Sequence, residues 1–116
     1  GYGCHSIGTA IHELMHAIGF FHNHMRADRD QYLLIHWANI KQEFRNQFTL
    51  LKAYEAKIYT PFDYDSIMQY GPRAFSVNGF LKTITPKNLK VTLKESYERK
   101  SLSNYDAISI NKMYGC

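Results

Sequence analysis

The stretch HELMHAIGFFH, residues 12–22, holds three histidines and a glutamate whose spacing suits a metal ion. His12 and His16 are i and i+4, so on a helix their rings project from one face about one turn apart. Two neutral imidazoles at that separation meet on one ion; two protonated ones would repel. His22 cannot join them on the same helix, because ten residues on it would lie roughly 15 Å along the axis. Zinc ligands, by contrast, all sit within about 2.1 Å of the metal. The helix must therefore stop, and Gly19 is placed to stop it, since glycine adopts the left-handed conformation at a helix end without a Cβ penalty. The chain then turns back and brings His22 under the helix. Glu13 stands beside the metal face without being needed as a ligand, which leaves it free to act as a base. Three neutral histidines leave a coordination position for water, as in catalytic zinc sites.

Two other readings of these residues fall short. A buried helix whose histidines bond to core carbonyls leaves five fixed positions in eleven residues to chance. A third ligand from a distant glutamate such as Glu43 leaves Gly19 and His22 unexplained. The pattern H-E-x-x-H-x-x-G-x-x-H is that of the metzincin zinc peptidases.

The rest of the chain narrows the resemblance. HNHMRADRD follows the motif as H-x-x-x-R-x-D-R-D, DYDSIMQYG (63–71) contains an S-I-M-x-Y turn, and the chain ends LSNYDAISINKMYGC. Together these resemble the astacin family of zinc endopeptidases, from Gly3 to Cys116, and HNHMRADRD is most similar to astacin-like proteases of arachnid venoms and digestive fluids. The resemblance implies an α+β fold of the metzincin, zincin-like type: a C-terminal subdomain with an active-site helix, a Met-turn and a C-terminal helix, largely irregular between. It implies one Zn2+ per chain on His12, His16 and His22, with Glu13 as general base. Met68 would pack beneath the ligands, and Tyr70 would hydrogen-bond the oxyanion. Two positions depart from the family's usual pattern: Asn23 stands where a glutamate is usual, and Gln69 where a histidine is usual. Neither is a ligand, the base or the tyrosine.

The two cysteines, Cys4 and Cys116, lie at opposite ends and could pair with each other. The resemblance instead implies that each bridges to a partner outside this chain. Residues 1–116 are accordingly expected to be an astacin-like catalytic domain incomplete at its amino terminus, unstable and nearly inactive alone, with Leu14 and Ile18 left partly in water. A secreted, extracellular, monomeric enzyme acting on protein or peptide substrates is implied, matrix proteins and fibrinogen among them. The likeness to arachnid venom proteases implies a venom or toxin role.

Composition is compatible with this. An apolar fraction of 45% supports one small core, and no apolar run is long enough for a membrane span. The net charge of +4 is weighted toward the second half by Lys82, Lys87, Lys90, Lys94, Lys100 and Lys112. No nucleic-acid reader motif accompanies these lysines, so they read as solvated surface; attraction to an anionic matrix is the other use they could serve. A zinc-stabilised binding module would be expected to lack Glu13. A hydrolase of small amides or esters would have no evident need of the Met-turn and Tyr70.

The positioning elements are expected as follows. A helix spans about 6–18, capped by Ser6 or Thr9, with Ile7, Ile11, Leu14, Ala17 and Ile18 at helical spacing. A second helix near Trp37–Phe48 would present Trp37, Ile40, Phe44 and Phe48 on one face. Residues 49–100 read as mostly irregular, with a tight turn at Asn78-Gly79 and a short extended run ending at Pro86. A last helix starts at Ser103 with Asp106 as a capping-box partner and ends before Gly115. Asp28, Arg29 and Asp30 read as structural ion pairs, and His5, His24 and His36 as surface or hydrogen-bonded core.

Overall fold

The computed structural model describes residues 7–52 and 54–115, so Cys4, His5, Ser6 and Cys116 lie outside the described residues. Helix α1 spans Ile7–Ala17. Thr9 falls inside it and so is not its cap. Its far end closes as the sequence requires: the Gly19 amide donates to the His16 carbonyl and the Phe20 amide to the Met15 carbonyl, with Gly19 at φ +111°. This pair of bonds is a Schellman closure, which satisfies carbonyls that the helix end would leave bare.

Only Gly8 and Met15 of α1 are buried. A Cβ at Gly8 would overlap the Arg99 carbonyl, so only glycine permits this approach of helix to loop. Ile7 and Leu14 are 74% and 64% exposed, and Ile18 is exposed too, which leaves one apolar stripe of the helix in solvent.

Beyond the third histidine the chain runs through short 3₁₀ turns to strand β1, Leu33–Ile35, which pairs antiparallel with β2, Ile84–Pro86. The register sets Ile35 against Ile84 and Leu33 against Pro86. Sequence reading anticipated the run ending at Pro86 but not its partner, because a three-residue strand is too short for alternation to stand out.

The helix expected at Trp37–Phe48 is absent. The segment forms two 3₁₀ turns, Trp37–Asn39 and Gln42–Phe48, separated by an extended Ile40 that bridges Ser76. The Lys41 amide donates to the Phe75 carbonyl and the Val77 amide to the Asn39 carbonyl. These long-range bonds replace the i to i−4 bonds a helix would need, at a place where Asn39 and β-branched Ile40 favour helix weakly. The apolar side chains still converge. Ile40 and Phe48 join Leu33, Ile35, Phe62, Ile84 and Leu93 in the main core, and Phe44 stacks on Phe75.

Between residues 49 and 100 the chain is largely irregular, with the turn at Asn78-Gly79 as expected: Asn78 Oδ1 accepts from the amides of Phe80 and Leu81, and Gly79 has φ +79°. Arg26 pairs with Asp28 and Arg29 with Asp30, so the RADRD segment is an ion-paired brace. His36 bonds to the Thr85 hydroxyl.

Helix α2, Asn104–Tyr114, begins at the Ser103–Asp106 capping box and ends on left-handed Gly115. Asp106 has a second role. Its carboxylate accepts from the Ser66 hydroxyl and from the Ile67 amide at 2.8 Å, tying the helix start to the turn that carries Met68. Replacing Asp106 with Ala would leave those buried donors unpaired, at roughly 1–3 kcal/mol each. Thermal or urea unfolding of Asp106→Ala should show a loss of about 2–4 kcal/mol, whereas Lys112→Ala, on the exposed side of the same helix, should stay within about 0.5 kcal/mol of the parent.

Candidate metal centre and its surroundings

His12 and His16 project from one face of α1, and the turn at Gly19 returns His22 to them. The three Nε2 atoms form a triangle with every edge 3.1 Å, and these rings are the one set of metal-capable side chains among the described residues. His12 Nδ1 donates to the Ile67 carbonyl at 2.7 Å and His16 Nδ1 to the Phe20 carbonyl at 2.7 Å. Because a carbonyl only accepts, the neutral form of each ring has its proton on Nδ1 and turns an Nε2 lone pair inward. His22 is held neutral. Burial first, then the neighbouring His24, His16 and His12, pull its pKa from 6.5 to about 3.

The facing lone pairs of His12 and His16, with the His22 nitrogen completing the triangle, suit a cation. Ligands on a tetrahedral zinc at about 2.1 Å would stand roughly 3.4 Å apart, close to the observed triangle. The donor set fits zinc.

The sequence-derived residues fall around this triangle as follows. Glu13 is exposed on α1 beside the ligands. Met68 is buried and packs with Met15 and Ile67, forming an apolar floor. Tyr70 sits in a ring stack: its centroid is 4.2 Å from His22, 4.1 Å from His24 and 5.4 Å from Phe75. Burial, and after it the charge of Glu13, raises the Tyr70 pKa above 10, so the hydroxyl keeps its proton. A cleft of about 150 Å³ opens here, lined by Gly8, Thr9, His12, Ile67, Tyr70 and Ser96. Another cavity of about 160 Å³ reaches His22, Asn23 and Met68 from the side of Tyr59 and Met113.

Three supporting contacts were not anticipated from sequence. His24 is hydrogen-bonded core, one of the two placements expected, fully buried and bonded through Nε2 to the Gln47 carbonyl, but its stack on Tyr70 was unforeseen. Phe75 reaches Tyr70 from a backbone at φ +58°, a left-handed geometry that costs a non-glycine residue roughly 1–2 kcal/mol. Asn23 and Gln69, the two departures from the family pattern, touch each other: Asn23 Nδ2 donates to Gln69 Oε1 at 2.9 Å. Residue types alone carry no signal for such contacts. Only the juxtaposition of the His22 turn with the Met68 turn creates them.

Two histidines on a helix that ends at glycine, a third returned to them by the turn, and a buried methionine turn beneath match the metzincin pattern. Comparison with known proteins places the chain further. The family model described as Astacin, a peptidase family, matches residues 1–115, and the chain belongs to the astacin family. It is 44% identical over 117 residues to astacin-like metalloprotease toxin 1 of Loxosceles intermedia, covering all of this chain and 44% of that protein. With zinc metalloproteinase nas-4 of Caenorhabditis elegans it shares 42% identity, covering 98% of this chain and 36% of the relative. Among solved structures, high choriolytic enzyme 1, a hatching enzyme zinc-protease of the medaka Oryzias latipes, superposes with a TM-score of 0.83 at 39% identity, over 94% of this chain and 52% of that one. The chain thus spans between about a third and a half of the length of these relatives. No helix among the described residues is long and apolar enough to cross a membrane.

The buried His24 supplies a pH test. Burial above all lowers its pKa from 6.5 to about 4; the Gln47 carbonyl opposes the shift and Arg29 adds to it. Between those values the unfolded chain binds the proton and the folded chain does not, so stability is full above pH 6.5 and falls as the pH drops toward 4. The loss attributable to His24 should reach up to about 3 kcal/mol. Unfolding curves at pH 7 and pH 4.5 for the parent and for His24→Phe should show the variant losing less on acidification.

Proposed function

We propose that this chain carries the zinc centre of a metalloendopeptidase, within an astacin-type catalytic domain, and that it hydrolyses peptide bonds of proteins outside the cell. The observation that carries the reading is the inward triangle of three Nε2 atoms, two of them given inward lone pairs by the backbone carbonyls on their Nδ1 atoms. Membership of the astacin family supports it, as do relatives named as zinc metalloproteinases.

His12, His16 and His22 would hold one zinc. When bound there, the ion supplies Lewis acidity, bringing the pKa of water toward about 7 and polarising the scissile carbonyl. Glu13, next in the chain after His12, accepts the proton of the attacking water and passes it to the leaving amine. The Tyr70 hydroxyl, kept protonated by burial, donates a hydrogen bond to the oxyanion as it develops. Met68 keeps water from beneath the ligands.

A toxin and a hatching enzyme among the relatives favour a secreted enzyme with extracellular protein substrates, matrix proteins and fibrinogen being the first to try. Cys4 and Cys116 would then be oxidised with partners outside this chain.

The decisive experiment uses the full-length protein with a quenched peptide library. Cleavage that stops with phenanthroline and returns with zinc is expected; a zinc-loaded protein that cuts no peptide would overturn the assignment. His16→Ala should lose the bound zinc by metal analysis. Glu13→Gln should keep zinc and lose about 10²–10⁴-fold in kcat. Tyr70→Phe should keep KM and lose roughly 10- to 1000-fold in kcat, and an unchanged rate would make Tyr70 a packing residue only.

A further inference from the structure

Asn23 follows the third ligand directly and Gln69 directly precedes Tyr70. Both are buried, at 7% and 1% exposure. Asn23 Nδ2 donates to Gln69 Oε1 at 2.9 Å and to the Asp63 carbonyl at 3.0 Å, while Gln69 Nε2 donates to the carbonyl of Tyr70 at 3.1 Å. The backbone repeats the link, since the Asn23 amide donates to the Met68 carbonyl at 2.8 Å. The far side of the turn is fixed in turn, because the buried Arg99 guanidinium donates to the Gln69 carbonyl.

We infer that Asn23 and Gln69 form a buried amide clasp whose role is to position His22 and Tyr70 against each other, making them positioning residues for the peptidase reaction proposed above. The inference rests on that reading for the reaction, and on geometry alone for the clasp.

Each member of the clasp is one peptide bond from a working side chain. The rings of His22 and Tyr70 are already in contact, with centroids 4.2 Å apart, and the clasp ties together the backbones from which both hang. A displacement of about 1 Å at a reacting group can cost on the order of 100-fold in rate. A buried amide that loses its partner has no water to turn to, so truncating one side should shift the other. Neither group carries net charge, so the clasp places no ionic charge beside the ligands. Its contribution is geometric.

The test is a double-mutant cycle in the zinc-loaded full-length protein, with Asn23→Leu, Gln69→Met and the double variant, apolar side chains of similar shape. Three quantities are read: kcat and KM on a cleaved peptide, zinc affinity by competition with a chelator, and Tm. Each single variant should lose about 10- to 100-fold in kcat or in zinc affinity, the range found when groups supporting a metal site are removed, with KM within about twofold. The double variant should be little worse than either single one, since both break the same contact. The swapped pair Asn23→Gln with Gln69→Asn keeps two amides in reach, and should recover most of the loss. It also serves if the apolar variants fail to fold.

Variants that melt lower yet keep parental kcat and zinc affinity, measured well below their Tm, would overturn the inference and leave the clasp as packing. Strictly additive losses would overturn it too. If the parent cuts no peptide, the proposed function fails separately, and coupling in zinc affinity alone then decides for or against the clasp.

Discussion

Three imidazole Nε2 atoms stand 3.1 Å from one another, and most of the architecture exists to keep them there. With Nδ1 of His12 and His16 committed to carbonyls, these two rings turn their lone pairs toward each other. The arrangement is unfavourable for the protein alone and becomes favourable around a cation. It must therefore be held by contacts formed elsewhere, and each is traceable: a Schellman closure at Gly19 sets the path to His22, and the Ile67 carbonyl fixes His12 from across the fold.

The five residues 66–70 are where those contacts converge. Asp106 holds Ser66 and Ile67, the Asn23 amide holds Met68, and Arg99 holds the Gln69 carbonyl. The Tyr70 ring is held by His22, His24 and Phe75. Helix α2 therefore matters to the metal centre without touching it, through a carboxylate that caps the helix and grips the turn together.

How much of this was legible in the sequence follows the range of the interaction. The first helix, its glycine stop, the Ser103–Asp106 cap and the turn at Asn78-Gly79 are short-range, so residue types at fixed offsets reveal them. The convergence of the three histidines was legible for the same reason, since all three lie within eleven residues. The segment Trp37–Phe48 was misread because its helical spacing of aromatics is real, yet its backbone bonds go to residues 75–77. Asn23 and Gln69 were each noticed as unusual, but their contact spans 46 positions and no local pattern reports it. Cys4 and Cys116 lie outside the described residues, so their pairing rests on the family resemblance.

The bond from His12 to the Ile67 carbonyl also orders events in time. It joins residues 55 positions apart, and closing a loop of that length is slow and entropically opposed compared with winding a helix. The His16 bond to the Phe20 carbonyl is local and forms with the helix end, whereas the His12 orientation is set only when the Met68 turn docks. The inward pair of nitrogens is thus complete only in the folded frame, one half fixed by neighbours in sequence and the other by a tertiary contact.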